Sequence, residues 1–181
     1  MSARLALAAL IAMGIAGCSE KTVDAPESET VETTNQTVAS VVAGDDRFAK
    51  LAWALADTQL APVLDGQGDY TLLAFDDRGF AKLGDKADAL TSTGERPLLA
   101  AILRAHILPG QITPAAIHQA IERKNGPVEM RTLAGDIVTF AETDDGTTVS
   151  NGSATARLEG DDVAAINGAV LTIDRVLMPA S

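Results

Sequence analysis

The side chains of this chain that could transfer protons or hold a metal ion are two histidines and a set of scattered carboxylates. His106 ends an apolar segment of helical spacing, and His118 follows 12 residues later. That separation does not place two imidazoles on one helix face for joint ligation of a metal ion. Glu95, Glu122 and Glu159 have no evident partner in the sequence. The spacing therefore indicates no pair of groups for acid–base catalysis.

The short motifs that accompany common enzyme chemistries are also absent from the sequence. It contains no Gly-x-Ser-x-Gly, no His-Glu-x-x-His, no phosphate-binding loop and no dinucleotide fingerprint. Asp144-Asp145-Gly146 and Asp161-Asp162 lack the spaced oxygen ligands of a calcium loop, so turns are favoured there. We therefore expect a protein that is not an enzyme and that carries no cofactor and no metal ion.

Composition and charge narrow the classes of partner. The 181 residues include 14 Lys and Arg against 25 Asp and Glu, which gives a net charge of −11. Nucleic acids and anionic membrane surfaces bind basic patches, so this balance argues against both as direct partners. The few aromatic residues, 3% of the chain, also argue against a base-stacking platform. Neutral or cationic partners are favoured over acidic polymers.

The first 17 residues have the pattern of a removable export signal. Arg4 gives a positive start, residues 5–15 form an apolar run, and the small residues Ala16 and Gly17 follow. A helix needs about 20 apolar residues to cross a bilayer, so this run is too short for a membrane span. We predict a secretory signal peptide over residues 1–17.

The only cysteine of the chain, Cys18, directly follows this segment. The sequence Ile15-Ala16-Gly17-Cys18 resembles the lipobox of bacterial lipoproteins, in which cleavage exposes a cysteine that is then acylated. Several acyl chains anchor a protein durably, whereas a single chain does not. The resemblance implies a lipoprotein signal, lipidation of Cys18 with acyl chains such as palmitate, and a location in the cell envelope. Ser19 follows the cysteine, which by analogy with Gram-negative sorting favours the outer membrane.

Residues 18–45 are predicted to form a disordered acidic tether. They contain six acidic residues and one basic residue, and they are rich in Ser, Thr and Glu. Such a stretch buries too little apolar surface to offset the entropy of ordering the chain. A flexible chain of this length spans on the order of 30 Å. Residues 46–181 remain for a single domain of net charge −7, from 12 basic and 19 acidic residues.

Helical spacing dominates the first half of this domain, and alternation dominates the second half. Helical segments are predicted at residues 46–57, 60–64, 76–83, 97–106 and 113–125, with a strand at residues 70–75. Further strands are predicted at residues 128–132, 136–142, 147–150, 154–158 and 169–178. The fold class is therefore α+β, with helices packed on a wedge or sandwich of short, mostly antiparallel strands.

Three segments resemble, in order, the signatures of fasciclin domains. Residues 70–80 (YTLLAFDDRGF) resemble the first signature, an apolar strand that leads into a turn and a helix with phenylalanine. Residues 103–113 (LRAHILPGQIT) resemble the central histidine motif, and residues 166–179 (INGAVLTIDRVLMP) are similar to the closing signature. The resemblance covers residues 46–179. It implies a fasciclin-like fold and an adhesion module that contacts proteins, polysaccharide or lipid.

The chain departs from the family pattern in two places. Residues 74–76 read Ala-Phe-Asp where Ala-Pro-Thr is usual, and Ala105 replaces the usual tyrosine before His106. In animal relatives the histidine segment and an Asp-Ile pair are linked to integrin adhesion, and the corresponding pair here is Asp162-Val163. The resemblance thus makes His106, Asp162 and Val163 candidate binding residues. The departures argue against integrin binding of the animal type.

Three residues of these segments also have structural interpretations. The pattern favours His106 as a buried or half-buried histidine with hydrogen bonds over a functional one. Asn167-Gly168 is typical of a turn that leads into a strand, which is favoured over a ligand contact. Asp76 most simply caps the following helix, and His118 is expected to be solvated.

The function that the sequence favours is a membrane-anchored, extracytoplasmic binding module of a bacterial cell envelope. Its partners would be the membrane, through the lipid anchor, and an extracellular or periplasmic protein or polysaccharide. Two alternatives stay open: an envelope lipoprotein that holds a small apolar ligand and, less favoured, a hydrolase.

Overall fold

The structure is a computed structural model, and it describes residues 32–179. Within this range the α-helices are α1 (Val38–Gly44), α2 (Ala49–Asp57), α3 (Ala61–Asp65), α4 (Asp77–Ala81), α5 (Asp85–Leu90), α6 (Arg96–Ala105) and α7 (Pro114–Lys124). The strands are β1 (Glu32–Thr33), β2 (Tyr70–Phe75), β3 (Ile107–Pro109), β4 (Val128–Arg131), β5 (Ile137–Thr143), β6 (Gly146–Ser150), β7 (Thr155–Arg157), β8 (Val163–Ala165) and β9 (Gly168–Ile173). Short 3-10 turns lie at Asp46–Phe48 and Thr93–Glu95.

The strands form two sheets. The first sheet has the order β1-β8-β9-β2-β3, and the second has the order β4-β5-β6-β7. In the first sheet β2 pairs in parallel with β9, and β1 pairs in parallel with β8. All other strand pairs in the two sheets are antiparallel. The predicted α+β class with mostly antiparallel strands is therefore confirmed.

Side-chain caps and prolines set the starts of several helices. The Asp76 carboxylate accepts a hydrogen bond from the Gly79 amide at the start of α4, as the sequence predicted. The Thr113 hydroxyl accepts from the Ala116 amide, and Pro114 opens α7. Among the described residues, no helix combines the length and the hydropathy that crossing a bilayer requires.

The core lies between the central strands and the helices that cover them. Leu72 and Leu73 of β2 and Val170 and Leu171 of β9 are fully buried, because both faces of these neighbouring strands are covered. Leu103 of α6 is also fully buried against this layer. The central strands therefore form a rigid platform that fixes the loops and edges around it.

The prediction of a disordered tether reaching to residue 45 is wrong in its C-terminal part. Residues 38–44 form α1, in which Val38 and Val42 are almost completely buried in the core and Val41 is 8% exposed. The Thr37 hydroxyl caps this helix by accepting from the Ser40 amide. Three valines at helical spacing bury enough apolar surface to hold this helix on the core, although the acidic composition of the segment predicted that too little would be buried. The signal peptide, Cys18 and residues 19–31 of the predicted tether lie outside the described residues.

Candidate functional site

The segment that contains Asp162 and Val163 forms part of a sheet edge. Strand β8 lies between β9 and the N-terminal strand β1, which is the outermost strand of the first sheet. The Glu32 amide donates to the Asp162 carbonyl oxygen at 3.1 Å, and the Thr34 amide donates to the Ala164 carbonyl oxygen at 3.0 Å. The chain's own N-terminal segment therefore covers the backbone of the candidate pair.

The side chain of Asp162 faces the interior and stabilises β9. Its Oδ1 atom accepts a hydrogen bond of 2.9 Å from the Thr172 amide, and the residue is 4% exposed. Val163 is half-buried and packs against the core. The prediction that Asp162 is a binding residue needs correction for its side chain, because the buried carboxylate joins β8 to β9 and does not face a binding partner.

His106 lies in the core, where its imidazole joins α6 to the segment after β9. The Nδ1 atom is 2.8 Å from the Ile102 carbonyl oxygen, and Nε2 accepts a 2.9 Å hydrogen bond from the Leu177 amide. These partners require a neutral ring with the proton on Nδ1. Burial lowers the pKa of His106 to about 4, and the hydrogen bond to Ile102 opposes this shift only in part.

His106 therefore acts as a buried structural histidine, as the apolar helix pattern favoured. Its exposed fraction is 0%, and its ring makes an edge contact with Phe75 at a centroid distance of 5.4 Å. The proposal that it contacts a partner directly needs correction, because no part of the ring reaches solvent. His106 and Asp162 do not form a joint site, since their hydrogen bonds go to Leu177 and Thr172 respectively.

Asn167 holds three parts of the chain together, which agrees with the structural interpretation of this residue. Its Oδ1 atom accepts from the Val38 amide at 2.9 Å. Its Nδ2 atom donates to the carbonyl oxygens of Leu64 and Gly66 at 2.9 and 2.8 Å. The next residue, Gly168, has a φ of 149°, and a Cβ there would lie 1.7 Å from the Tyr70 carbonyl oxygen. The Asn-Gly pair is therefore required by packing.

Arg47 forms an ion-pair cluster beside β8 that the sequence did not indicate. Its guanidinium donates to Asp45 at 2.8 Å and to Asp161 at 2.7 Å, and it stacks over the Phe48 ring at 5.4 Å. The hydrogen bond from Arg47 lowers the pKa of the Asp45 carboxyl. The partners of Arg47 are two and 114 residues away in the chain, and only the nearer one could have been inferred locally.

Two grooves meet at this cluster, and acidic groups surround both. The smaller groove has a volume of about 200 Å³ and is lined by Glu32, Arg47, Gly160, Asp161, Asp162 and Val163. The larger groove, of about 490 Å³, shares Gly160, Asp161 and Asp162 and is also lined by Asp145, Arg157 and Glu159. Their charge suits neutral or cationic partners. Within residues 32–179, no three His, Cys, Asp or Glu side chains are placed to hold a metal ion.

His118 of α7 is exposed, as predicted, and lies beside β5. Its Nε2 atom is 3.2 Å from Glu122, and its Nδ1 atom is 3.3 Å from Glu142 of β5. The hydrogen bond with Glu142 and the charge of Glu122 raise the pKa of His118. Glu122, for which the sequence indicated no partner, thus has one four residues earlier on the same helix.

A third groove is more apolar and lies between α6, the second sheet and the C-terminal segment. Its volume is about 480 Å³, and its lining comprises Ala105, Asp136, Ile137, Val138, Asn151, Ser153 and Pro179. Ile137 is 41% exposed here although it is a large hydrophobic residue. This groove has the size of a small-molecule site, and its polar rim residues do not form a catalytic group.

The fold and these contacts define an α+β domain in which the chemistry-bearing side chains of the described residues serve mainly to join elements of the structure. A family model described as "Fasciclin domain" matches residues 46–179. The chain therefore belongs to the fasciclin-domain family, as the three sequence signatures indicated.

Two curated relatives support this membership. The chain is 30% identical over 144 residues to "Protein sll1483" of Synechocystis sp., an alignment that covers 79% of this chain and 73% of that protein. It is 29% identical over 152 residues to "Transforming growth factor-beta-induced protein ig-h3" of Sus scrofa. That alignment covers 83% of this chain and 20% of the pig protein, so this chain spans a fifth of that relative's length.

A solved structure has the same fold. It is the FAS1 domain pair from the insect cell adhesion molecule Fasciclin I, with a TM-score of 0.59 and 22% sequence identity. The match covers 75% of this chain and 47% of that chain. The FAS1 domain pair therefore occurs in a protein that is described as a cell adhesion molecule.

Proposed function

We propose that this protein is a lipid-anchored binding module of a bacterial cell envelope, which contacts an extracytoplasmic protein or polysaccharide without catalysing a reaction. The observation that carries the proposal is the fasciclin domain at residues 46–179, a domain that occurs in an insect cell adhesion molecule. Integrin binding of the animal type is not part of the proposal, since Asp162 is buried and Ala105 replaces the usual tyrosine.

The contacts inside the domain support a binding role rather than a catalytic one. His106 and Asp162 are buried and hydrogen-bonded to backbone amides, where they stabilise the scaffold. The exposed His118 contacts two carboxylates, and no groove described above contains it. A rigid scaffold that presents loops, edges and acidic grooves is suited to recognition of a partner.

The proposed anchor at Cys18 gives this module its location. In this proposal, residues 18–31 connect the anchor to β1, which begins at Glu32. A connection of this length keeps the domain close to the membrane surface, because even a fully extended chain spans at most about 3.5 Å per residue. Many copies on one membrane would strengthen weak individual contacts by avidity. Placement in the outer membrane is the favoured form of the proposal for a Gram-negative source.

The proposal is tested by measuring retention of a soluble form on isolated envelopes of the source cell. The soluble form begins at Ser19, so that it lacks Cys18 but keeps α1 and β1. We expect saturable retention that excess unlabelled protein displaces and that high salt weakens if charges contribute. Absence of saturable retention at any concentration would contradict the binding function.

The anchor is tested separately with the full-length chain. Replacement of Cys18 by Ser should move the protein from the membrane fraction to the soluble fraction and should abolish incorporation of labelled palmitate. Retention of the Cys18→Ser protein in membranes, without acylation of the parent chain, would contradict the anchor.

The apolar groove supports a second candidate function, the capture of a small apolar ligand. Ala105, Ile137, Val138 and Pro179 contribute apolar surface to its lining, and its volume of about 480 Å³ is in the range of ligand sites. Native mass spectrometry after mild purification should then give a mass above that of the chain. Replacement of Ile137, which is 41% exposed in this groove, by Trp should remove the extra mass. A native mass of the parent protein equal to the chain mass would contradict this candidate.

A further inference from the structure

We infer that the edge of β8 is a docking site for an extended peptide segment of a partner protein, and that β1 occupies this site in the unbound domain. The inference deepens the proposed binding function and rests on it for the origin of the peptide. It names the surface through which a protein partner is bound.

Strand β1 is held weakly compared with the helix that follows it. It comprises two residues, Glu32 and Thr33, and both are exposed. Hydrogen bonds from the Glu32 and Thr34 amides attach it to β8. In contrast, α1 is fixed by the buried Val38 and by the bond from its amide to Asn167. Segments with few buried contacts open locally at low cost, so β1 can leave while α1 stays in place.

The edge beneath β1 stays ordered without it. Strand β8 is paired on its other side with β9 over Val163–Ala165, and Ala165 is buried in the core. The Asp162 carboxylate fixes the start of β8 through the Thr172 amide. Departure of β1 would therefore expose a preformed edge at which the carbonyl oxygens of Asp162 and Ala164 lose the hydrogen bonds from the Glu32 and Thr34 amides. Such an edge is a template for another strand.

The present occupant shows which chemistry the edge recognises. It is an extended segment that runs parallel to β8 and is bound through backbone amides, with Glu32 opposite Val163 and Thr33 opposite Ala164. Recognition of this kind tolerates many side chains but requires amide hydrogens at alternate positions of the peptide. The adjacent groove, which Arg47 and Asp161 line, is placed to contact side chains of the bound peptide.

A peptide titration tests the docking site. The probe is the hexapeptide Glu-Thr-Thr-Asn-Gln-Thr, which has the sequence of residues 32–37, and the protein is the isotope-labelled chain from residue 19 onwards. The double variant Glu32→Pro/Thr34→Pro removes the two amide hydrogens that bind β8. Thr33→Pro is the matched control, because neither of those hydrogen bonds uses the Thr33 amide.

We expect the double variant to bind the hexapeptide at least fivefold more tightly than the parent and the Thr33→Pro control. The amide shifts should concentrate on residues 162–165. A hexapeptide with proline at its first and third positions should not bind. Equal affinity in all three proteins, or shifts that avoid β8, would overturn the inference.

A reversible cross-link between β1 and β8 tests whether this site also binds the envelope partner. Thr33 and Ala164 are opposite each other, so a Thr33→Cys/Ala164→Cys disulfide holds β1 on β8 in a chain that lacks Cys18. Oxidation should abolish hexapeptide binding and reduce envelope retention, and reduction should restore both. Undiminished retention of the oxidised protein would overturn the docking role while the binding function stands. If neither the oxidised nor the reduced protein is retained on envelopes, the binding function is contradicted. The peptide titration would then still show whether the β8 edge binds an extended peptide.

Discussion

The Nε2 atom of His106 accepts a hydrogen bond of 2.9 Å from the backbone amide of Leu177, which lies 71 residues further along the chain. The bond joins the end of α6 to the segment after β9, and both residues are completely buried. It can form only while Nε2 carries no proton. The histidine motif of this domain therefore contributes to stability in a way that depends on pH.

The free energy of unfolding should decrease as the pH falls from about 6.5 to about 4. The pKa of His106 is about 4 in the folded state, against a usual value of 6.5 in the unfolded state. Between these values the unfolded state binds the additional proton, so acid favours unfolding. The stabilisation is fully present above pH 6.5, and its loss amounts to roughly 3 kcal/mol. Denaturant unfolding at pH 7, 5.5 and 4 measures it.

The control for this prediction is His106→Gln, which removes the titrating ring. This variant should be less stable at pH 7 but should lose much of the dependence on pH between 6.5 and 4. Asp174 acts at lower pH: burial opposes ionisation, but Arg175, the Arg157 amide and Lys82 outweigh it and lower the pKa to about 2. An unchanged pH dependence in the glutamine variant would contradict the assignment to His106.

Replacement of Asn167 by Ala should destabilise the domain by roughly 2–4 kcal/mol and loosen α1 first. The change removes the acceptor of the Val38 amide and the donor to Leu64 and Gly66. Buried backbone groups that lose their partners carry a desolvation penalty of this order. Hydrogen exchange should accelerate most in residues 38–44. Gln67→Ala, at an exposed position nearby, is the control and should leave exchange in α1 unchanged.

Replacement of Gly168 by Ala should prevent stable folding. The new Cβ would lie 1.7 Å from the Tyr70 carbonyl oxygen, in the parallel pairing of β2 and β9. Backbone atoms of two central strands cannot move apart without loss of that pairing, so we expect a cost above about 4 kcal/mol. Gly94→Ala, where a Cβ meets nothing within 4 Å, should fold normally. A Gly168→Ala protein with native thermal stability would show that Gly168 does not lie this close to the Tyr70 carbonyl oxygen.

Removal of residues 1–45 should weaken the domain even though the family match begins at residue 46. This truncation deletes α1 and the burial of Val38 and Val42, whose side chains each contribute about 1.5–3 kcal/mol. A chain that begins at residue 32 should keep this stability. Comparison of denaturant midpoints for the two chains measures the difference. Equal midpoints for the two chains would indicate that the folded domain begins at residue 46, as the sequence predicted.

Local patterns were sufficient to predict most elements that have a strong period or cap. Asp76 caps α4 as expected, and β2 occupies the predicted residues 70–75. The helix predicted at residues 46–57 is a 3-10 turn followed by α2. Asp45, one residue before the predicted start, caps that turn by accepting a hydrogen bond from the Arg47 amide.

Long-range contacts explain what the sequence could not indicate. The final strand was predicted over residues 169–178 but ends at Ile173, because Asp174 instead accepts from the Arg157 amide and binds Lys82. The short β8 has no periodic signal, and its pairing with β9 depends on contacts that are distant in the sequence. The Leu177 partner of His106 likewise depends on the completed fold. Spacing alone identified the buried histidine but not the atoms to which it is bound.

The measurement that tests the central claim most directly compares anchored and soluble forms of the protein on the same envelope surface. Lipid vesicles that carry many acylated copies are passed over immobilised envelopes of the source cell, and their retention is compared with that of the monomer that begins at Ser19. An anchored binding module predicts retention at least a hundredfold stronger for the vesicles, because weak contacts combine through avidity. Protein-bearing vesicles that wash away as fast as bare vesicles would contradict the account.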